Sequence, residues 1–244
     1  MLVKQKVKYI QTLGQKKFRQ QEGFFIAEGP KLVRELLEAD AASVKEVYAV
    51  KEWIDDNKKF LYKTVVTEIT EIELEKISQL TTPNKVVAIV YQYGVNETII
   101  VKGRITLALD NVQDPGNLGT IIRIADWFGV EQIVCSIDSA DMYNPKVVQS
   151  TMGSIARVKV YYVELYEWLA AQKEVSIYAA ALEGEDVTTM KKIKEGIIIF
   201  GNESKGISPQ ILNLASTKIT IPRKGKAESL NAAVATGIIL SHII

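Results

Sequence analysis

The chain has 244 residues and a formal net charge of +1, so any nucleic-acid binding must come from local patches. With one cysteine and one histidine, it has no internal disulfide or multi-cysteine metal cluster, and it lacks the residues for a histidine-rich metal site. The hydrophobic fraction of 47% allows a sizeable core in one or two domains, but no apolar run approaches the roughly 20 residues of a membrane span. We therefore expect a cytoplasmic globular protein that uses no metal.

The first 20 residues form a basic segment with six cations and no acidic residue. Tyr9 and Phe18 are interleaved with these cations, which favours a surface that binds a polyanion. A solvated helix face is the alternative interpretation. The six cations are Lys4, Lys6, Lys8, Lys16, Lys17 and Arg19.

Residues 23–91 alternate short β-rich runs with helical stretches, which predicts a compact α/β unit. Lys31–Glu38 places its apolar side chains on one helical face, and Glu71–Leu80 is a second predicted helix. The polar stretch Gln92–Arg104 is interpreted as a linker, with an edge strand through Thr98–Val101 as its alternative. The predicted strands are Phe24–Ile26, Val47–Val50, Thr64–Val66 and Val86–Val90.

From Ile105 onward, continuous apolar runs are separated by helical stretches. Such runs are typical of a mainly parallel sheet with helices on both faces. Cys135 lies inside one run and is predicted to be a buried core thiol. A last helix is predicted over Leu230–Ile243. The predicted strands are Ile105–Leu109, Gln132–Cys135, Val158–Val163, Val175–Ala181, Gly196–Phe200 and Lys218–Ile221.

The first motif runs from Asn111 to Arg123 and follows a buried strand. Gly116 suits the left-handed geometry of a tight turn, and Asn117 suits the N-cap of a helix predicted over Gly119–Phe128. Together, Asn111 and Arg123 would offer an amide and a permanent cation to an anionic substrate. The alternative is a capped turn with a surface arginine. The glycine spacing matches neither the Walker loop nor G-x-G-x-x-G, which disfavours a nucleotide-phosphate loop.

The second motif, from Gly201 to Gly206, follows a strongly apolar predicted strand. Gly201 ends this strand and permits close approach of a ligand to the backbone. Asn202 and Glu203 present polar groups at the strand end, and the following helix is predicted to start at Ser208 as its N-cap. An ordinary strand–turn–helix connection is the alternative.

The third motif, Ile221–Asn231, joins a strand to the last helix. Ser229 is the predicted N-cap of that helix, and Glu228 lies near the positive end of its dipole. A capping feature without a ligand is the alternative. The loop is basic, which suits a nearby nucleic-acid backbone. Its cations are Arg223, Lys224 and Lys226.

As an ordered set, the three motifs resemble the SpoU, or TrmH-like, family of RNA ribose 2′-O-methyltransferases. The patterns are Asn-x-x-Asp-Pro-Gly-Asn-x-Gly-x-x-x-Arg, Gly-Asn-Glu-x-x-Gly and Ile-Pro-x-x-Gly-x-x-Glu-Ser-Leu-Asn, and the resemblance covers residues 105–244. The first half is more weakly similar to the RNA-recognition domain of this family, through Phe25–Gly29 and the helix that follows. The implied domains are 1–92 for RNA recognition, 93–104 as a linker and 105–244 for catalysis.

The resemblance implies an α/β fold whose carboxyl-terminal part is tied into a deep trefoil knot, contrary to the usual rule for chain topology. It also implies a homodimer and S-adenosylmethionine as the cofactor, held mainly by backbone groups of the second and third motifs. The implied cofactor-binding residues are Gly201, Asn202, Gly206, Ile221, Ser229 and Leu230.

By the same resemblance, Arg123 would activate the ribose hydroxyl with help from a substrate phosphate, and Asn111 would orient the ribose. Glu203, Ser229 and Asn231 would hold the geometry of the site. Whether Arg123 is a general base or an electrostatic anchor stays open at this point, because the neutral form of a guanidinium is scarce. The implied RNA contacts are Lys4, Lys8, Lys16, Lys17, Arg19, Lys146 and Arg223.

The recognition domain favours ribosomal RNA over tRNA as the substrate, because the tRNA-directed relatives more often lack such a domain. Two other classes of function compete with this interpretation. The chain could be an RNA-binding protein of the same fold that has lost catalysis, although the intact motifs argue against it. An oxidoreductase with a dinucleotide-binding fold is disfavoured because the glycine fingerprint is missing.

Overall fold

A computed structural model describes residues 2–94 and 98–244, and these residues form two compact units. The first unit contains the residues up to Gly94 together with Asp141–Arg157, and the second contains residues 98–140 together with Val158–Ile244. The domain boundaries expected from the sequence stay a prediction. The contacts of Asp141–Arg157, however, group this segment with the first unit, although it lies in the part of the chain expected to carry catalysis.

Ten α-helices and ten strands are present in the described residues. The helices are α1 (Lys4–Thr12), α2 (Lys16–Glu22), α3 (Pro30–Asp40), α4 (Lys51–Asn57), α5 (Glu71–Ile77), α6 (Pro115–Trp127), α7 (Pro145–Thr151), α8 (Leu165–Ala170), α9 (Pro209–Leu212) and α10 (Ala232–Ile243). The strands are β1 (Phe24–Glu28), β2 (Val44–Ala49), β3 (Val65–Glu68), β4 (Val86–Tyr91), β5 (Ile105–Leu109), β6 (Gln132–Ser136), β7 (Lys159–Val163), β8 (Ile177–Asp186), β9 (Gly196–Phe200) and β10 (Thr217–Thr220).

The first unit is built on a four-stranded sheet with the order β1-β4-β2-β3. Strand β4 runs antiparallel to both of its neighbours, and β2 and β3 are parallel. The apolar residues of α3 are buried, as its periodicity predicts. Helix α5 begins at a capping box, in which Thr70 and Glu73 each bond the backbone of the other. All four strands predicted in this part of the chain are confirmed.

The basic segment forms two short helices, α1 and α2, and the fully buried Ile10 and Leu13 anchor it to the core of the first unit. Arg19 departs from the expected RNA-facing role, because it is only 2% exposed. Its guanidinium donates to the carbonyl oxygens of Leu13 at 3.1 Å and Gly14 at 2.7 Å, and it pairs with Asp141 at 2.6 Å. Arg19 therefore holds the unit together and is not a surface cation.

The second unit contains a six-stranded sheet with the order β10-β8-β9-β5-β6-β7, and every pair of neighbouring strands is parallel. The central strands β5 and β9 are almost entirely buried, as expected for a parallel sheet covered on both faces. The predicted α/β fold with a mainly parallel sheet is thus confirmed. The trefoil knot stays a prediction.

Two smaller expectations have different outcomes. Residues 95–97 of the predicted linker lie outside the described residues, and residues 98–101 form no strand, so the alternative edge strand is wrong. Cys135 is fully buried, as predicted, and burial raises the pKa of its thiol, which keeps it protonated. In the described part of the chain, no helix is long and apolar enough to cross a membrane.

We predict that Arg19→Ala lowers the free energy of unfolding by about 3 kcal/mol, because it leaves Asp141 and two carbonyl groups without their donor. Lys17→Ala is the matched control, since it removes the same charge from an exposed position of the same helix and should change stability by less than about 0.5 kcal/mol. Denaturant unfolding of both variants measures the difference. Equal stability of the two variants would contradict a structural role for Arg19.

Candidate active site

The three motifs meet at the carboxyl ends of the parallel strands. Leu109 at the end of β5 pairs with Phe200 at the end of β9, and the backbone N–H of Asp110 donates to the Phe200 carbonyl at 2.8 Å. The first and second motifs therefore begin side by side. The third motif follows β10 at the edge of the same sheet. This is the edge where parallel α/β sheets bind their ligands.

A chain of side-chain hydrogen bonds joins one residue from each motif. The Asn231 amide donates through Nδ2 to Oδ1 of Asn117 at 2.7 Å, and Nδ2 of Asn117 donates to Oε1 of Glu203 at 2.7 Å. Asn117 is buried, so both ends of its amide need partners and both have them. We call Asn231, Asn117 and Glu203 the amide network. It fixes the three motifs relative to one another.

A second link ties the first motif to the second. Nδ2 of Asn202 donates to the backbone carbonyl of Asn111 at 2.9 Å, while its Oδ1 accepts from the backbone N–H groups of Ser204 at 2.9 Å and Lys205 at 3.1 Å. Asn202 and Gly206 also exchange backbone hydrogen bonds of 3.0 and 2.9 Å. The second motif is therefore a closed turn, and Gly206 adopts the left-handed φ of +68° within it.

Gly201 is required by the turn itself. A Cβ at this position would lie 2.2 Å from the carbonyl carbon of Gly206 and 2.3 Å from the backbone nitrogen of Ile207. The sequence suggested that Gly201 lets a ligand approach the backbone. In the structure, the chain's own backbone makes that close approach.

Asn111 has an unusual conformation at the end of β5. Its φ of +57° is left-handed, a region that asparagine tolerates better than most residues, and its backbone N–H donates to Oγ of Ser136 at 2.9 Å. Its side-chain Oδ1 is buried and has no hydrogen-bond partner among the described residues. A buried acceptor without a partner is costly, so this oxygen is well suited to bind a donor on a ligand.

The structure corrects the predicted start of helix α6. Asp114 is the N-cap, and its Oδ1 accepts from the backbone N–H of Asn117 at 2.8 Å. The helix begins at Pro115, four residues before the predicted start, because proline is favoured at the first helical position. Gly116 therefore lies in the first helical turn and has no left-handed φ. The Asn117 side chain is thus free of capping and enters the amide network.

Helix α10 is also capped by a different residue from the one predicted. Asn231 is the N-cap, and its Oδ1 accepts from the backbone N–H groups of Ala233 at 2.9 Å and Val234 at 3.2 Å. Its amide group uses both ends, because Nδ2 serves the amide network. Ser229 is exposed and makes no hydrogen bond to a described residue. Ser208 precedes α9 as predicted, but its side chain does not cap that helix.

Arg123 stands apart from the amide network. It lies on α6, about 9 Å along the helix axis from Asn117 at a rise of 1.5 Å per residue. Its side chain is exposed and makes no ion pair or hydrogen bond within the described part of the chain. The guanidinium is therefore available to a phosphate or to an oxygen that gains negative charge.

A cleft of about 1210 Å³ opens beside the amide network. Its apolar wall includes Leu182, Phe200 and Leu230, and Glu203 and Arg223 are among its charged lining residues. All of the cofactor-binding residues expected from the sequence line this cleft: Gly201, Asn202, Gly206, Ile221, Ser229 and Leu230. Among the described residues, no cluster of histidine, cysteine, aspartate and glutamate could hold a metal ion.

The expected RNA contacts other than Arg19 lie on the surface. Arg223 is exposed and donates to the backbone carbonyl of Ala227 at 3.2 Å. Lys146 is exposed near the start of α7, in the first unit. The others, also exposed, are Lys4, Lys8, Lys16 and Lys17.

Asn117 is the site residue that sequence reasoning missed. The sequence pattern assigns it to helix capping, because asparagine is common at that position. The available signal was the neighbouring Asp114-Pro115 pair, which already supplies an N-cap and a first helical residue. Because Asp114 already caps the helix, capping does not explain the asparagine three residues later. The structure shows that Asn117 belongs to the amide network instead.

Comparisons with known proteins match both halves of the chain. Residues 104–241 match the SpoU rRNA Methylase family, and residues 4–88 match the MRM3-like substrate binding domain. The 23S rRNA (guanosine(2553)-2′-O)-methyltransferase RlmP of Bacillus subtilis is 31% identical over 242 residues, which cover 98% of this chain and 96% of the relative.

Two solved structures are similar over nearly the whole chain. One is from Porphyromonas gingivalis and is assigned to the TrmH family of RNA methyltransferases; it has 34% identity and a TM-score of 0.88, and the match covers 99% of this chain and 98% of that one. The other is the AdoMet-bound rRNA methyltransferase of Sinorhizobium meliloti, with 32% identity, a TM-score of 0.86 and coverage of 99% and 95%.

We predict that Gly201→Ala lowers the free energy of unfolding by about 1–3 kcal/mol, because the new methyl group meets backbone that cannot rotate away. Gly225→Ala is the control, since a Cβ at Gly225 meets nothing within 4 Å and its φ is not left-handed. Denaturant unfolding compares the two variants. If both variants lower the free energy of unfolding by the same amount, the turn does not require glycine at position 201.

Proposed function

The chain belongs to the SpoU rRNA methylase family, and from its site we infer that it transfers a methyl group from S-adenosylmethionine to the 2′-hydroxyl of a ribose in RNA. The observation that carries this inference is the amide network, which joins all three family motifs beside one cleft. A protein of this fold that had lost catalysis would need neither the buried Asn111 Oδ1 nor the exposed Arg123, both of which lack a partner among the described residues.

The cleft fits S-adenosylmethionine in size and in chemistry. Its apolar residues Leu182, Phe200 and Leu230 suit a purine ring, and the backbone of the closed turn offers polar groups at the strand end. When bound, the cofactor supplies an electrophilic methyl group on a sulfonium, and this transfer needs no metal. Gly201, Asn202, Gly206, Ile221 and Ser229 would hold it together with Leu230.

The chain's own residues must position a weakly acidic hydroxyl. We assign Asn111 to this task, because its buried Oδ1 has no partner among the described residues and can accept the hydroxyl proton in a hydrogen bond. Asn117, Glu203 and Asn231 hold the neighbouring loops in place. For the reaction to balance, the sulfonium sulfur would keep the electron pair of its broken bond to the methyl carbon and become a thioether. The ribose oxygen would gain the methyl group, and its proton would pass to water.

Arg123 acts as an electrostatic anchor in this proposal. A guanidinium stays protonated under physiological conditions, so it is a poor proton acceptor but an effective partner for a phosphate and for a developing alkoxide. Its side chain is exposed and has no partner in the part of the chain that the structure describes, which agrees with contact to a substrate that arrives from solvent. Positive charge at this point favours ionisation of the ribose hydroxyl.

We propose ribosomal RNA as the substrate, with tRNA as the alternative. The match of residues 4–88 to a substrate binding domain supports a large folded RNA, and the relative RlmP is named as a 23S rRNA methyltransferase. Lys4, Lys8, Lys16 and Lys17 are exposed in this part of the chain and can meet its phosphates. With such a substrate, we propose that the protein works in the cytoplasm.

A homodimer is part of the proposal as well. Trp127 at the end of α6 is 85% exposed, and Val234 on α10, which packs against α6, is 50% exposed. Large apolar side chains on adjoining helices are typical of a surface that a second subunit covers. The molar mass in solution, measured by light scattering, tests this assembly.

The activity is tested by incubating the protein with S-adenosylmethionine labelled in its methyl group and with unmodified ribosomal RNA or tRNA. Digestion to nucleosides, followed by mass spectrometry, should show label in a 2′-O-methylribose, with ribosomal RNA preferred. Label on a base would overturn the assigned chemistry, and no label in either RNA would overturn the proposed function.

We predict that Arg123→Ala lowers the rate of methyl transfer by roughly 10²–10⁴-fold while S-adenosylmethionine binds as before, because the variant loses the anchor and keeps the cleft. Arg123→Lys should recover part of the rate, since it keeps the positive charge. Arg104→Ala is the control, because Arg104 is exposed, belongs to the same unit and pairs with the exposed Glu131 at 3.3 Å. An Arg123→Ala enzyme as fast as wild type would exclude the assignment.

A further inference from the structure

The loop between α4 and β3, Lys58–Lys63, consists of three lysines, two aromatic residues and one leucine. Leu61 is buried, and its backbone N–H donates to the carbonyl of Lys58 at 3.2 Å, which gives the loop a defined shape. Tyr62, in contrast, is 72% exposed. The buried Leu61 therefore anchors the loop to the first unit, and the neighbouring Tyr62 ring is held in solvent.

Two lysines of this loop lie against aromatic rings and keep their charge available. The ammonium group of Lys63 lies 5.4 Å from the centroid of the Tyr62 ring, and that of Lys59 lies 4.6 Å from the centroid of Phe60. Neither lysine pairs with a carboxylate in the parts of the chain that the structure describes. Aromatic faces hold a cation without neutralising it, so both lysines can still attract a phosphate.

The acidic residues of the preceding helix α4 do not cancel these charges. Glu52 pairs with Lys85 at 2.9 Å, and Asp55 pairs with Lys58 at 2.9 Å. Asp56 is the one carboxylate of α4 without an ion pair among the described residues. Among the described residues, the loop therefore has two lysines without an ion pair and α4 has one such carboxylate, and Lys63 is the lysine that lies against the exposed ring.

We propose that this loop binds unpaired nucleotides of the RNA substrate, with Tyr62 stacked on a base and Lys59 and Lys63 on adjacent phosphates. The proposal rests on the RNA methyltransferase function argued above. Stacking platforms flanked by cations are the usual means of binding single-stranded RNA, because every base has an aromatic face. A base inside a duplex is already stacked on its neighbours, so the loop selects an unpaired segment.

A protein partner fits the same loop less well. Protein interfaces are built around contiguous apolar patches. Within the loop, Leu61 is buried and Phe60 is half-buried beneath the Lys59 ammonium group. Tyr62 is therefore the single exposed ring of the loop, and Lys63 lies against it. Charge and ring together are complementary to a nucleic acid.

The test measures binding of a single-stranded oligoribonucleotide, of the duplex with the same sequence, and of an unmodified 23S rRNA transcript. Tyr62→Ala should weaken binding of the single strand about tenfold, and Tyr62→Phe, which keeps the ring, should stay within about twofold of wild type. Binding of the duplex should be unchanged. Because Tyr62 is exposed, thermal unfolding of Tyr62→Ala should match wild type.

The lysines are tested through the salt dependence of the same binding reaction. Lys59→Ala combined with Lys63→Ala should flatten the plot of log affinity against log salt by about 0.7 for each phosphate that the protein no longer neutralises. Lys58→Ala is the matched control, because it removes a cation from the same loop that is already paired with Asp55. It should change the slope by less than half as much as the Lys59→Ala, Lys63→Ala double variant.

If Tyr62→Ala binds the single strand and the rRNA transcript as tightly as wild type, the proposal is overturned. This is also the result expected if the ring contacts a protein. The methyl-transfer assay on the same preparations separates the two claims. If wild type methylates ribose and Tyr62→Ala binds RNA normally, this inference fails and the proposed function stands. If wild type methylates no RNA, the proposed function itself fails.

Discussion

The amide of Asn117 is the interaction on which the candidate site depends. It lies between Glu203 of the second motif and Asn231 of the third, and both of its polar ends are used. Other polar residues of the three motifs stabilise their own segments: Asp114 caps α6, Asn231 caps α10 and Asn202 closes its own turn. The buried Asn117 amide joins all three motifs, whereas Asn202 joins only the first and the second. Without the Asn117 amide, the third motif would lose its side-chain link to the other two.

The sheet explains why these loops can be held so closely. Strands β5 and β9 are adjacent, parallel and buried on both faces, so their carboxyl ends leave the core at the same level. The sequence predicted these strands because continuous apolar runs are typical of buried parallel strands. It did not predict α4, α7 or α8, whose six or seven residues are too few to show a helical period.

The site was predicted in part, and the errors share a cause. Sequence reasoning placed caps at Asn117 and Ser229, because local preference rewards any polar residue before a helix. The actual caps are Asp114 and Asn231, and the difference decides which side chains remain free for the site. Local sequence patterns also failed at Arg19 in the first unit, because its partner Asp141 lies 122 residues away in the sequence.

The most direct test of this account is a double-mutant cycle between Asn117 and Glu203, with kcat/KM for methyl transfer as the readout. Each residue is changed to alanine, alone and together. If the amide network fixes the site, the two changes are coupled by about 1–3 kcal/mol, and the double variant is little worse than either single one. Additive losses would show that the two residues act independently, and they would contradict the central role of the Asn117 amide.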